Sequence, residues 1–334
     1  MKMKALNFVR GVLIACAGTL TLWSGAAVAQ TKIDVSIFHA EGAPWTPTIK
    51  WWAQEVEKAT EGRVKLTLHF GGSLVPLGET LKAVRNGAVP AGLITSAAVS
   101  GQLRYMGYTE AVTGMTTDPA KLVSSLNALR PVFEKNLSEV GVEYLWSQTS
   151  GESIALCRNK FLKTPADWKG TKVRAAGRWQ SEQIKAIGGS PQALDPSEIY
   201  LALQNGTVDC TLSVTILAPS LKLEQVAPKV TFLRQSNNLS IFVMNKDVFG
   251  KLSERDRAAI RRVSSEADQR SVRDVMAAQQ AGEAFFTKTP GNTYKLNDAE
   301  HDSLRSAFIS ALRPLQAESG AVGQQVKTIL DAHR

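Results

Sequence analysis

Histidine is scarce in this sequence, four in 334 residues, and cysteine scarcer at three. His39, His69, His301 and His333 are scattered without paired spacing, which excludes the common zinc motifs. Each reads as a surface or packing residue, with His39 a partial exception taken up below. No Gly-x-Ser-x-Gly elbow occurs, and Cys157 in "SIALCRNK" (153–160) has no local protease signature. Nucleophilic hydrolysis therefore lacks its apparatus. No glycine-rich phosphate loop follows a strand, since "GGSLVPLG" (71–78) has neither the dinucleotide nor the P-loop spacing. These absences predict a protein with no catalytic residues, no metal and no cofactor.

Long hydrophobic runs are lacking too, except at the N-terminus. There a basic "MKMKALNFVR" precedes the apolar "GVLIACAGTLTLW" (11–23) and then "AVA" (27–29). That order predicts a secretory signal peptide over 1–29, cleaved after Ala29. The run is shorter than the roughly 18 residues of a spanning helix. "LIAC" (13–16) resembles a lipoprotein cleavage box at Cys16, but about four apolar residues precede it where roughly 7–15 are expected. Simple export to the periplasm is the reading. Cys157 and Cys210 survive it, and in an oxidising compartment they allow one disulfide or two buried free thiols. The signal carries three of the positive charges and no acid, so the net +9 falls to +6. The remaining charges are dispersed, and "RDRAAIRR" (255–262) reads as a solvated helix face, so nucleic acid is not an expected partner.

What is present is alternation. "IDVSIF" (33–38) and "RVKLTLHF" (63–70) place apolar residues at every second position, the pattern of strands. Between them Ile49, Trp52, Ala53, Val56 and Thr60 share one helical face, and Gly62 is placed to end that helix. "GETLKAVRNG" (78–87) reads as a helix leading into the strand "AGLITSA" (91–97). Strands alternating with helices predict a largely parallel α/β sheet. The unit then recurs, because "ETLKAVRNGAV" (79–89) and "EIYLALQNGTV" (198–208) share Glu-x-x-x-Ala-x-x-Asn-Gly-x-Val. In the second copy Asp195 and Glu198 have capping-box spacing around Pro196. Two copies suggest two similarly built domains. Past residue 252, Ile260, Val263, Ala267, Val275, Ala278, Gly282 and Phe285 fit one stripe of a helix over 253–286. At 1.5 Å per residue such a helix is about 50 Å long, enough to cross two domains. Two shorter helices close the chain, with Leu304, Phe308 and Leu312 on one and Val326, Ile329 and Leu330 on the other.

Three stretches, in order, carry a family resemblance: "WAQEVEKATEGRVKLTLHFGGSL" (52–74), "ADWKGTKVRAAG" (166–177) and "GGSPQALDPSEIYLALQNGTVD" (188–209). The chain resembles the extracytoplasmic substrate-binding proteins of TRAP (tripartite ATP-independent periplasmic) transporters from about Ile33 onward. The resemblance implies two α/β domains around a ligand cleft with a long helix spanning both. On that plan residues 30–150 plus 239–278 form the first domain, and 151–238 plus 279–334 the second. It further implies capture of a small organic acid for membrane permease subunits driven by an ion gradient. A ligand sensor that signals to a partner, and an enzyme working in the same cleft, are the alternatives.

Taken alone, Arg174 at the end of "TKVR" leaves a structural ion pair and a ligand contact both open. The resemblance implies the second, a paired salt bridge to a substrate carboxylate. A planar guanidinium suits a carboxylate bidentately, and Ala175, Ala176 and Gly177 leave room for its approach. The chain also departs from the family pattern, with Val-Asp-Cys at 208–210 in place of Val-Asp-Gly. Acidic-sugar-binding members place an asparagine where this chain has Ser213, a second arginine near Glu152 and a glutamate near Thr95. An acidic sugar is therefore not the expected ligand. Strand ends supply the other candidates: His39 and Trp45 after the first, Ser73 after the second, Thr95 and Ser96 after the third. Trp179 follows the arginine loop and faces either the cleft or its own helix. A C4-dicarboxylate would use Arg178 or His39 as second cation. A monocarboxylate with an apolar or aromatic body would use Trp45 and Trp179, and it is the slightly preferred reading.

Overall fold

The computed structural model describes residues 30–235 and 238–333, so the expected signal peptide lies outside the described residues. Within them the strands are β1 Thr31–Ser36, β2 Val64–His69, β3 Ala91–Thr95, β4 Val142–Thr149, β5 Ser153–Cys157, β6 Lys172–Ala175, β7 Ser190–Ala193, β8 Cys210–Val214, β9 Lys229–Gln235, β10 Leu239–Asn245 and β11 Thr293–Lys295. They form two sheets. The first has the order β2-β1-β3-β10-β4, with β1, β2 and β3 parallel and β10 antiparallel to both its neighbours. The second runs β11-β9-β5-β8-β6-β7, with β5 antiparallel to β8 and β9, and β6 parallel to β7 and β8. The architecture is two α/β units flanking a cleft with a long helix across both.

The repeated segment folds alike in both units. Leu77–Glu79 and Pro196–Glu198 are 3₁₀ turns, each running into a six-residue α-helix, Thr80–Arg85 and Ile199–Gln204. Each helix ends at Asn-Gly with the glycine left-handed, φ 73° at Gly87 and 72° at Gly206, a conformation open to glycine at little steric cost. β3 and β8 follow, each with one parallel and one antiparallel neighbour. The expected capping box is present, since the Asp195 amide donates to Glu198 Oε2 at 2.8 Å.

The chain passes between the sheets at 150–152, again between β9 and β10, and along the helix Glu254–Thr287. That helix is 34 residues long, and Ser253 caps it by accepting from the Asp256 amide. Its N-terminal part packs on the first unit. Ser264 Oγ accepts from Trp52 Nε1 at 3.1 Å, and Trp52 lies against Trp146 and Phe242 in that unit's core. Asp268 accepts from the Ser147 amide and pairs with Arg130. Its C-terminal part meets the second unit. Gln279 Oε1 accepts from the Glu152 amide at 3.0 Å, and Gly282 packs so tightly that a Cβ would lie 2.6 Å from the Thr215 carbonyl oxygen. Phe286 joins Ile154, Leu156 and Phe232 in a core of the second unit.

Some expectations need correction. Phe285, placed on the apolar stripe, is exposed, and Phe286 is buried instead. The helix leaves the first sheet before this point, so the face that meets protein turns by one residue. β1 is shifted from 33–38 to Thr31–Ser36, and Phe38 and His39 lie beyond it in a loop. Gly62 ends the first helix, Thr46–Ala59, together with Glu61, which is also left-handed. The last helix, Gly320–Ala332, was expected with the second unit, but Val326 and Leu330 pack with Leu129 and Phe133 in a core of the first. Cys157 and Cys210 face each other in register on β5 and β8 and form a disulfide.

Candidate functional site

A cavity of about 160 Å³ opens where the C-terminal ends of β3, β6 and β8 meet the loop after β1. Both units line it. Five of the eight residues expected at a site come together there: His39, Trp45, Thr95, Arg174 and Ser213.

Arg174 sits on β6 between Gln192 of β7 and Thr211 of β8. Neighbouring strands thus hold its backbone while the side chain runs toward the cavity. The residue is 5% exposed. Nε donates to the Leu194 carbonyl at 2.9 Å, and Nη1 to the Leu212 carbonyl at 3.2 Å. Those two carbonyls fix the plane of the fork. Burial lowers its pKa to about 10, against the pull of Asp195 and Glu198, so the group stays charged at neutral pH. Among the described residues no carboxylate makes an ion pair with it. A buried cation without a counter-ion is costly unless something supplies the charge.

Opposite stand Trp45 and His39, stacked with ring centres 4.3 Å apart. Trp45 Nε1 donates to the Thr149 carbonyl at 2.9 Å, which pins the indole on the cavity wall. His39 Nε2 lies 2.9 Å from Gln148 Nε2. Burial lowers the His39 pKa to about 3, so the imidazole is neutral at any physiological pH. Without a ligand carboxylate beside it, His39 therefore offers no second cation. Arg178, the other candidate cation, pairs with Glu318 at 2.8 Å and does not line the cavity. Among the described lining residues Arg174 is the single cation, with Asp195 the single acid, and Asp195 is engaged in its capping box. Ser213 Oγ and His39 Nδ1, both buried, have no hydrogen-bond partner among the described residues.

Thr95 lines the cavity, and its hydroxyl accepts from the Ala98 amide at 3.1 Å as a helix cap. Three expected residues lie elsewhere. Ser96 is turned inward, bonded to Thr109 Oγ1 at 2.6 Å and to the Leu239 carbonyl at 3.0 Å. Ser73 is exposed on the loop after β2. Trp179 is buried against Gly107 and Tyr108 of the first unit rather than facing the cavity. Sequence reasoning also missed residues. Gln180, Ser150, Asn238 and Ser240 add polar groups to the lining, and Phe38, Leu77 and Leu217 add apolar wall. Gln180 immediately follows the candidate Trp179, which was the one available signal. Ser150 and Asn238 sit in the two crossings between sheets and carry no mark in the sequence.

Arg174 can hold one carboxylate by a paired hydrogen bond, the neutral polar groups can take hydroxyl, oxo or amide functions, and the aromatic and aliphatic wall can cover an apolar body. Residues 35–319 match the family described as bacterial extracellular solute-binding protein, family 7. A solute-binding protein of Albidiferax ferrireducens is 26% identical over 267 residues, covering 75% of this chain and 77% of that one. The sialic acid-binding periplasmic protein SiaP of Vibrio cholerae is 25% identical over 327 residues, covering 94% and 96%. Among solved structures, a Bordetella pertussis extracytoplasmic solute receptor binding pyroglutamic acid superposes with a TM-score of 0.83 at 19% identity, covering 91% of this chain and 99% of that one.

Proposed function

The chain belongs to the bacterial extracellular solute-binding proteins of family 7, which include the extracytoplasmic receptors of TRAP transporters, and on that premise we propose that it captures a small monocarboxylate. The ligand's carboxylate pairs with Arg174 while its apolar or aromatic body lies on Trp45. The loaded protein then presents the acid to a membrane permease, having reached the periplasm by loss of residues 1–29. Receptors of this family take varied ligands, so the substrate class must come from this cleft. One observation carries the reading: Arg174 is buried at the cavity, charged, and unpaired with any carboxylate among the described residues.

A monocarboxylate is favoured over a C4-dicarboxylate because the second carboxylate would meet a neutral His39 and an Arg178 already paired outside the cavity. Acidic sugars, the ligands of the Vibrio relative by its name, are disfavoured by Ser213 and Thr95 at the positions noted above. The test is a thermal-shift screen of residues 30–334 against monocarboxylates, dicarboxylates and sugar acids, repeated with Arg174→Ala. A ligand at 100 times its Kd adds about 2.7 kcal/mol, a shift of a few degrees. Loss of one partner of a buried charge pair costs about 2–5 kcal/mol. Arg174→Ala should therefore weaken binding by about 30-fold to several thousand-fold. A shift that survives the substitution would sink the assignment.

A further inference from the structure

Glu110 is a carboxylate wholly withdrawn from solvent, and among the described residues it forms no ion pair. It ends the short helix Gly107–Glu110 of the first unit, yet its bonds reach into the second. Oε1 accepts from the Gln180 amide at 3.1 Å, and the neighbouring Trp179 amide also favours the ionised carboxylate. Oε2 accepts from Ser100 Oγ at 2.6 Å on its own side. Trp179 and Gln180 stand in the first turn of the nine-residue helix Arg178–Ala186. Their amides have no acceptor within that helix, and an anion there also meets the positive end of its dipole.

The surrounding contacts are equally close. A Cβ on Gly177 would come within 2.6 Å of both Glu110 Oε1 and the Ala97 carbonyl oxygen. The Trp179 ring lies on Gly107, where a Cβ would approach it to 1.8 Å. Gln180 Nε2 donates to the Glu110 carbonyl at 3.2 Å, and Gln180 Oε1 accepts from the Ala176 amide at 2.9 Å. Ala176 and Gln180 both line the cavity, and Arg174 lies two residues before Ala176.

We infer that Glu110 is a positioning residue: supplied by the first unit, it clamps the segment 176–180 so that closing the cleft sets Arg174 and Gln180 against the ligand together. This rests on the reading of Arg174 as the carboxylate's partner. Arg178 is the charged side chain that acts on Glu110, and Glu318 draws it away at 2.8 Å. The other titratable side chains on the elements packed here are Arg104, Tyr105 and Tyr108 beside Glu110, Glu182 and Lys185 on the facing helix, and Lys327 and Asp331 on the last helix. Burial raises the Glu110 pKa to about 7, against its hydrogen bonds and Arg178. Closing therefore takes up a proton. The closed form's preference for the protonated acid is full below about pH 4.5 and is lost as pH rises through about 7.

Amide hydrogen exchange and calorimetry on residues 30–334 test this, using pyroglutamate as the probe acid. In Glu110→Ala the Gln180 amide should exchange about tenfold faster. The Val35 and Phe242 amides, in the first sheet, should not change and so report an intact fold. Wild-type affinity should fall about tenfold from pH 5.5 to 8, while Glu110→Gln, which keeps an acceptor but cannot ionise, should stay flat. Unchanged protection in Glu110→Ala, with and without the acid, overturns the inference, as does a pH slope retained in Glu110→Gln. If Arg174→Ala binds as wild type while Glu110→Ala loses protection, the arginine reading fails and the clamp stands. If pyroglutamate does not bind, the exchange arm decides alone.

Discussion

Arg174 is held by two backbone carbonyls rather than by a carboxylate, an arrangement consistent with the proposed ligand contact. Carbonyls orient the fork without neutralising it, which leaves the charge for a ligand. His39 shows the opposite treatment, since burial removes its charge altogether. A second ligand carboxylate would then be buried without a partner, at a cost of about 1–3 kcal/mol or more. In competition titrations, succinate and malate should bind at least about tenfold more weakly than a monocarboxylate of like size. Equal or tighter dicarboxylate binding would contradict the neutral His39. Arg174 drew attention because it ends a strand in a motif with little side chain around it, but the residues alone left a structural ion pair open and only the family resemblance implied a ligand contact. Glu110 and Gln180 were not legible, because they meet across 70 residues of sequence and two units. Trp179 was ambiguous for a related reason: its sequence marks a large ring, and only the close approach of Gly107 says where the ring goes.

The elements were more legible than the contacts. Period-two apolar spacing found β1 and β2, and the Asn-Gly ends found both short helices, because each of these signals is local. Strand ends were harder, since the Ile37 amide makes the last ladder bond, to the His69 carbonyl, and Phe38 and His39, although they continue the apolar pattern, lie beyond the sheet. The long helix was expected within one residue of its observed ends, but its buried face was misread at Phe285. A single stripe describes a helix against one layer, whereas this one packs on two. Gly282 marks the second contact, where the helix backbone approaches the Thr215 carbonyl. Gly282→Ala should lower stability by about 1–3 kcal/mol through overpacking, although alanine is the better helix former. Urea unfolding measures this, and an unchanged or raised midpoint would show that the approach is not tight.

At the scale of the molecule, the two sheets are joined at 150–152, between β9 and β10, and by the long helix. The disulfide lies within the second sheet and ties β5 to β8, so it braces that unit without bridging the cleft. Bridging falls instead to Trp179, Glu110 and Gln183, whose Oε1 accepts from the Val112 amide at 3.0 Å. The two-unit plan was legible through the repeated helix–Asn-Gly–strand unit, while the placement of the last helix on the first unit was not, since its apolar face fits either partner. The cavity exists only where both units contribute, and the account turns on the one buried cation there. Isothermal titration of wild type and Arg174→Lys, with the acid that gives the largest thermal shift, tests it most directly. Lysine keeps the charge but cannot form the two parallel hydrogen bonds. The account predicts a loss of at least about tenfold with the fold intact. Affinity equal to wild type would contradict it.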